Sequence, residues 1–236
     1  EDENNIFFKA SLQSSLMIAD KVLIIDSISQ DGTLEMVNEV AKTMGQLDKI
    51  EIVPSIYQHD YIGANGLQRN QYLKWLKKNW MGEWCLVLDA DEVLSDNSFK
   101  LKDMIQSNPF DVYNIEMIHF IWNLSLIDNT YPQHYVNYRM FKVTDKLFYD
   151  EVEHPLLKGW TNLGQTNEVK IFHFGYIKGI PDIVKKYNNH VRKSNIHNRE
   201  FLDQWKLWHV FGGYPVRDFT DFESLPSTIK KEIGYV

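Results

Sequence analysis

The fold is decided by the stretch Trp84-Cys85-Leu86-Val87-Leu88-Asp89-Ala90-Asp91-Glu92, in which an apolar run leads directly into acidic residues. An unbroken apolar run of this length is typical of a strand that is buried on both faces of a sheet. A second run of the same kind, Val22 to Ile25, leads into Asp26. Both runs therefore predict buried strands that carry carboxylates at their carboxyl ends.

Helical and strand patterns alternate around these two strands. Gly32 to Met44 and about Leu67 to Asn79 have the periodicity of helices, and Ile50 to Val53 reads as a short strand that ends at Pro54. Repeated strand–helix–strand units are typical of parallel strands with right-handed crossovers and helices on both faces. We therefore expect a mostly parallel, Rossmann-like α/β sheet flanked by helices in the first half of the chain.

The second half of the chain changes character. Strand-like segments joined by loops occupy Val112 to Trp122, Val136 to Val143 and Val169 to Phe174, and helical, aromatic sequence follows from Ile180. The sequence contains no internal repeat and no linker, so we predict a single domain over residues 1–236. Its parts are a first half over 1–95, a mixed β second half over 96–180 and a helical, aromatic C-terminal region over 181–236.

Composition excludes several classes of protein. The 25 basic residues stand against 32 acidic ones, a net charge of −7, whereas nucleic-acid-binding domains usually carry a basic excess. The single cysteine, Cys85, excludes an internal disulfide and a multi-cysteine metal scaffold. No apolar run approaches the length of a membrane span. We therefore expect a globular protein that does not bind nucleic acid.

The acidic end of the deciding stretch is the first candidate site. Ligands of open α/β sheets bind beyond the carboxyl ends of the strands. Asp89, Asp91 and Glu92 lie there within four residues, and they repel one another unless a cation lies among them. Carboxylate oxygens suit hard cations such as Mg²⁺ or Mn²⁺. The alternative interpretation is a solvated acidic turn.

The loop after Asp26 is the second candidate site. It reads Asp26-Ser27-Ile28-Ser29-Gln30-Asp31-Gly32-Thr33 and opens a predicted helix. Ser, Asp, Gly and Thr are the residues that turns and helix caps require. Asp26 and Asp31 could equally accept hydrogen bonds from a nucleotide base or ribose. The sequence leaves both interpretations open.

Together these motifs resemble a known family. The chain contains, in order, Asp26-Ser-x-Ser-x-Asp31-Gly-Thr, Gln68-Arg69-Asn70 and Leu88-Asp89-Ala90-Asp91-Glu92. This order and these separations resemble those of the nucleotide-sugar-binding half of family 2 glycosyltransferases with the GT-A fold. Ile171-Phe172-His173-Phe174-Gly175-Tyr176 is similar to a late segment of several members. The resemblance covers about residues 1 to 180. The family's first strand has no counterpart in this sequence, and Glu1-Asp2-Glu3-Asn4 looks like the end of the loop that follows it.

The resemblance implies donor-binding roles for residues of the first half. Asp26, Ser27 and Asp31 would hold the nucleotide base and ribose, and Asp89 would face the ribose or the metal. Arg69 would add positive charge at the diphosphate, because guanidinium matches phosphate in bidentate geometry. For Arg69 a surface ion pair on a helix is the alternative.

The resemblance also implies a metal site. Asp91, with Asp89, would bind Mn²⁺ or Mg²⁺, and His173 would supply a third protein ligand. Strand alternation puts His173 on the same face as Ile171 and opposite Phe172 and Phe174. The alternative is a buried, hydrogen-bonded core histidine.

An inverting transferase also needs a base that deprotonates the acceptor hydroxyl. The candidates lie in Tyr149-Asp150-Glu151-Val152-Glu153-His154-Pro155. Related enzymes often have Val-His-Glu here, whereas this chain has Val-Glu-His. We favour Glu153, then Glu151, then His154, against the alternative of exposed charges at a strand edge.

These implications predict a metal-dependent inverting glycosyltransferase of the kind used in polysaccharide biosynthesis. It would move a sugar from a nucleoside-diphosphate-sugar, bound by residues 1–95, to a glycan or lipid-linked acceptor bound by residues 96–180. We expect a cytoplasmic location, with association at the membrane surface left open. The alternatives are a nucleotidyltransferase and a nucleotide- or sugar-binding protein without catalysis.

Overall fold

The computed structural model describes residues 3–56, 64–107, 109–129, 138–151, 155–177, 181–185, 188, 203, 207 and 212–235. Its helices are α1 (Glu3–Ile18), α2 (Thr33–Thr43), α3 (Ala64–Asn79), α4 (Lys100–Ser107) and α5 (Ser227–Glu232), and residues 181–185 are also helical. Its strands are β1 (Val22–Asp26), β2 (Ile50–Pro54), β3 (Trp84–Leu86), β4 (Glu92–Leu94), β5 (Val112–Ile121), β6 (Leu126–Asp128), β7 (Tyr138–Lys142), β8 (Phe148–Tyr149), β9 (Leu157–Lys158), β10 (Leu163–Tyr176) and β11 (Val216–Asp218). None of the helices in these parts of the chain is long and apolar enough to cross a membrane.

Strands β5 and β10 form the centre of the main sheet. They run parallel, with Val112 beside Leu163 at one end and Ile121 beside Tyr176 at the other. On one side β4 pairs antiparallel with β10, and on the other side β6 and β7 pair antiparallel with β5. β3 extends the sheet beyond β7, and β11 extends it beyond β6, again antiparallel.

Two smaller sheets accompany the main one. β1 and β2 pair parallel with each other, and β8 and β9 pair antiparallel. Helix α1 packs on α2, α5 and β4, and so connects the two-stranded parallel sheet to the main sheet. Leu23 of β1 packs on the same hydrophobic cluster as Val87, which follows β3.

The expectation of a mostly parallel, Rossmann-like sheet is wrong. Within the described residues the main sheet has a parallel pair, β5 with β10, and its other pairings are antiparallel, while β1 and β2 form a separate sheet. An apolar run indicates a strand but carries neither its direction nor its partner. The predicted burial on both faces is also wrong, because Val22 to Ile25 and all of β3 are half-buried. β3 finds its partner in β7, far along the chain, and runs antiparallel to it. The helical pattern before β3 therefore does not serve as a parallel crossover within the main sheet.

The core is built on the two faces of β5 and β10. One face packs Phe120, Phe172 and Phe174 against Phe7 of α1 and Phe219 near the C-terminal end. The opposite face groups Tyr113, Ile115, Met117 and Ile171 with Leu94 of the adjacent strand β4, and α4 packs on it through Leu101. Because both faces are covered here, consecutive residues such as Ile171 and Phe172 are both fully buried, as expected for a central strand.

The first prediction concerns this aromatic core. Phe120 is fully buried, and its ring centroid lies 5.1 Å from that of Phe174 and 5.0 Å from that of Phe219. Phe120→Ala should lower the free energy of unfolding by about 3–5 kcal/mol, through lost burial and a cavity. Phe99→Ala is the control, because Phe99 is 60% exposed, and its effect should stay within about 0.5 kcal/mol. Denaturant unfolding of both variants checks this, and equal losses would contradict the assigned core.

Candidate functional site

Asp89 and Asp91 lie in the connection between β3 and β4, and Glu92 is the first residue of β4. Hydrogen bonds to backbone oxygens hold this connection from both sides. Ser11 of α1 donates its hydroxyl to the backbone oxygen of Asp89 at 3.4 Å, and the Glu92 N–H donates to the same oxygen at 3.0 Å. From β10, the Phe174 N–H donates to the backbone oxygen of Asp91 at 2.9 Å. The connection is therefore attached to a helix and to the central strands, which sets the direction of each carboxylate.

Asp89 is held by two guanidinium groups. Arg69 of α3 and Arg139 of β7 each lie 3.0 Å from one of its carboxylate oxygens. Desolvation raises the pKa of Asp89, but the charges of Arg139 and Arg69 outweigh it and hold the pKa well below its usual range. The Asp89 side chain keeps 46% of its surface exposed. It is thus an ionised carboxylate that a ligand can reach.

Glu92 is the buried acid of the group. It forms an ion pair with Arg139, and its other carboxylate oxygen accepts the Asp89 N–H at 2.9 Å. Burial raises the pKa of Glu92, the charges of Asp89 and Asp91 raise it further, and Arg139 opposes both effects. Arg139 therefore links Glu92 and Asp89 beneath the surface of the site.

Asp91 faces a histidine instead of an arginine. Its Oδ1 lies 3.6 Å from Nε2 of His173, and among the described residues no lysine or arginine pairs with it. This separation is longer than a hydrogen bond. Metal–ligand bonds of about 2.0–2.2 Å to each atom would span it. The pair is a candidate for two ligands of one divalent cation.

Gly175 keeps the space beside this pair open. A side-chain carbon at position 175 would overlap Oδ2 of Asp91 and would lie 2.7 Å from Nε2 of His173. The described part of the chain has no group of three His, Cys, Asp or Glu side chains arranged for a metal. A cation between Asp91 and His173 would therefore take its remaining ligands from a bound phosphate or from water.

The Asp26 loop forms its own hydrogen bonds. Asp26 accepts the Ser29 N–H at 3.0 Å and the Ser29 hydroxyl at 2.6 Å. Asp31 accepts the Thr33 hydroxyl at 2.6 Å and its N–H at 3.2 Å, and these bonds lower the pKa of Asp31. Asp31 thus binds the first residue of α2, as the capping interpretation expects. Ser27 has a buried hydroxyl oxygen without a hydrogen-bond partner in the described part of the chain.

The two candidate sites follow β1 and β3, which belong to different sheets. No hydrogen bond or ion pair joins the Asp26 loop to Asp89 or Asp91 among the described residues. They are connected through the hydrophobic cluster that Leu23 and Val87 share.

The segment with the base candidates begins beside Arg69. Asn70, the next residue, accepts the Tyr149 N–H and donates to the Tyr149 backbone oxygen, both at 2.8 Å. The Arg69 guanidinium lies 5.7 Å from the centre of the Tyr149 ring. Glu151 is exposed two residues later, and Glu153 and His154 lie outside the described residues. The segment that carries the base candidates therefore starts next to the arginine that pairs with Asp89.

Sequence reasoning missed two residues of the site, Arg139 and His119. Each is a polar residue inside a segment that the sequence predicted to be strand-like, and a buried charged residue is rare unless it is paired. A polar residue at such a position indicates that it has a polar or charged partner, but the sequence does not show which residue that is. Arg139 pairs with Asp89 and Glu92, and His119 contacts His173.

Comparison with known proteins adds no family to this geometry. No protein-family model matches the sequence, and a search of curated proteins finds no significant match.

The second prediction tests the space beside Asp91. In Gly175→Ala the added methyl group displaces the Asp91 carboxylate and the His173 ring, so Mn²⁺ affinity should fall by about 10-fold or more, as for other changes that misalign ligands. Phe99→Ala is again the control, because Phe99 is 60% exposed and belongs to neither candidate site, so its Mn²⁺ affinity should equal that of the wild type. Titration of Mn²⁺ followed by electron paramagnetic resonance measures both variants. Wild-type affinity in Gly175→Ala would show that Asp91 and His173 are not joint ligands.

Proposed function

We propose that the protein is a metal-dependent inverting glycosyltransferase that moves a sugar from a nucleoside-diphosphate-sugar to a glycan or lipid-linked acceptor. The order of its motifs, which resembles that of family 2 glycosyltransferases, supports the substrate class. The observation that carries the proposal is the pair of Asp91 and His173, 3.6 Å apart, beside an ionised Asp89. A cytoplasmic location stays a prediction.

Asp91 and His173 would hold Mn²⁺ or Mg²⁺. The donor set fits, because a carboxylate is a preferred ligand of both ions and an imidazole is acceptable to Mn²⁺. When bound, the ion supplies Lewis-acid neutralisation of the charge that develops on the leaving diphosphate. That Asp89 is also a ligand stays a prediction, since Arg69 and Arg139 already occupy its carboxylate.

The protein's own residues would orient the donor. Asp89 is kept ionised by two guanidinium groups, so its exposed oxygens can accept hydrogen bonds from ribose hydroxyls. Asp26 and Asp31 each retain acceptor capacity beyond the bonds they make within the loop. The Ser27 hydroxyl, buried and without a partner among the described residues, is available to the base or ribose.

The acceptor hydroxyl would be deprotonated by a carboxylate of the segment after Tyr149. In a single displacement the base takes the hydroxyl proton, the acceptor oxygen bonds to the anomeric carbon and the bond to the diphosphate breaks. Glu153 remains the favoured base, with Glu151 second and His154 third. The contact of Asn70 with Tyr149 supports this segment, because it joins the segment to the helix that carries Arg69.

The third prediction concerns Asp91→Asn. Loss of the charged ligand should abolish Mn²⁺-dependent binding of a nucleoside diphosphate while the free energy of unfolding changes by less than about 1 kcal/mol. Calorimetric titration of UDP and of GDP, each with and without Mn²⁺, measures this. Asp20→Asn is the control, because Asp20 is an exposed acid that pairs with Lys102 at the surface. Undiminished Mn²⁺-dependent affinity in Asp91→Asn would overturn the metal assignment.

The fourth prediction separates the base from the donor site. Glu153→Gln should lower turnover by about 10²- to 10⁴-fold and leave nucleoside-diphosphate affinity nearly unchanged. Glu151→Gln serves as the matched comparison, with turnover measured as nucleoside diphosphate released. A larger loss in Glu151→Gln would move the base to that residue. Donor binding by the wild type without any turnover would favour a binding protein.

A further inference from the structure

His119 lies directly beside His173 on the neighbouring strand. The two residues are register partners in the parallel β5–β10 pair, and their Nδ1 atoms are 2.8 Å apart. Their ring centroids are 4.7 Å apart, and the rings are inclined at 74°. His119 is buried and Asp91 lies on the far side of the His173 ring, at Nε2. His173 therefore contacts Asp91 through Nε2 and His119 through Nδ1.

A hydrogen bond between two imidazole nitrogens needs one protonated nitrogen and one lone pair. The ring whose Nδ1 accepts has no proton on that nitrogen and is therefore neutral. A neutral ring carries its proton on one nitrogen only. If Nδ1 of His119 accepts, its proton is on Nε2 and Nδ1 of His173 carries the shared proton.

The distance to Asp91 indicates which ring donates. A protonated Nε2 of His173 facing a carboxylate would form a charge-assisted hydrogen bond of about 2.7–2.9 Å. The observed 3.6 Å is longer and leaves room for an ion between the two atoms. The geometry therefore matches a His173 ring that has its proton on Nδ1 and its Nε2 lone pair towards Asp91.

We propose that His119 is a positioning residue whose Nδ1 accepts the Nδ1 proton of His173, and which thereby fixes the His173 tautomer with its Nε2 lone pair towards Asp91. This inference deepens the proposed function and rests on its Asp91–His173 cation site. Histidine ligands of metals generally donate their other ring N–H to a carboxylate, carbonyl or water. Here the acceptor is a second histidine, which lies on the adjacent central strand.

The tautomers can be read directly in the metal-free protein. Protein labelled with ¹⁵N at histidine is studied by long-range ¹H–¹⁵N correlation NMR at pH 8, with His119→Asn and His173→Asn used for assignment. The expected result is a protonated Nδ1 and an unprotonated Nε2 for His173, and the reverse for His119. A protonated Nε2 on His173 with a protonated Nδ1 on His119 would overturn the proposal.

Two substitutions at position 119 separate positioning from packing. His119→Phe keeps an aromatic ring but removes the acceptor, and Mn²⁺ affinity should fall by about 10- to 100-fold. His119→Asn keeps an oxygen acceptor close to the position of Nδ1, and its Mn²⁺ affinity should return to within a few-fold of wild type. Equal losses in both variants, or no loss in His119→Phe, would contradict positioning, and denaturant unfolding of each variant identifies those that do not fold.

The outcomes also distinguish this inference from the proposed function. If the wild type binds Mn²⁺ with the expected His119 dependence but binds no nucleoside diphosphate, the glycosyltransferase proposal fails and the role of His119 stands. If the wild type binds no Mn²⁺, the cation site is wrong, and the NMR tautomers alone decide whether His119 orients His173.

Discussion

The parallel pairing of β5 with β10 is the constraint on which the rest of the structure depends. Both strands are covered on both faces, by an aromatic cluster on one side and by aliphatic residues with Tyr113 on the other. Because side chains alternate between faces, the register that buries Phe120 and Phe174 also sets His119 beside His173 on the opposite face. A shift of one residue would bury the wrong set and separate the histidines. The candidate site is thus a consequence of core packing.

The second determinant is the group of charges beneath the site. Arg139 pairs with both Asp89 and Glu92, and Arg69 pairs with Asp89 from α3. Buried ion pairs contribute little to net stability, because desolvation offsets much of their attraction, although removal of one partner is strongly destabilising. Their effect here is geometric. They connect β7, α3 and the β3–β4 connection, and they leave Asp91 as the acid that faces His173.

The sequence predicted elements better than their arrangement. The apolar run Val22 to Ile25 is a strand, the run that begins at Trp84 is a strand as far as Leu86, and the helical patterns before Met44 and Asn79 are helices. The predicted parallel direction of the strands in the main sheet was wrong, because the pairing of β3 with β7 joins segments far apart in the chain and leaves no local signal. Likewise, the sequence did not identify Arg139 and His119 as site residues, because a polar residue in a strand-like segment does not show which residue it contacts.

The sequence by itself determined that Asp26 ends a strand and that Asp89 and Asp91 follow another strand closely, and alternation alone put His173 on the face opposite Phe172 and Phe174. Those features are local, since they follow from apolar runs and from the two-residue period of a strand. Only the tertiary structure decided that Asp89 is bound by two guanidinium groups and that Asp91 lies 3.6 Å from His173, with His119 behind it. Each of those contacts joins residues far apart in sequence, and it is packing and strand register that bring them together.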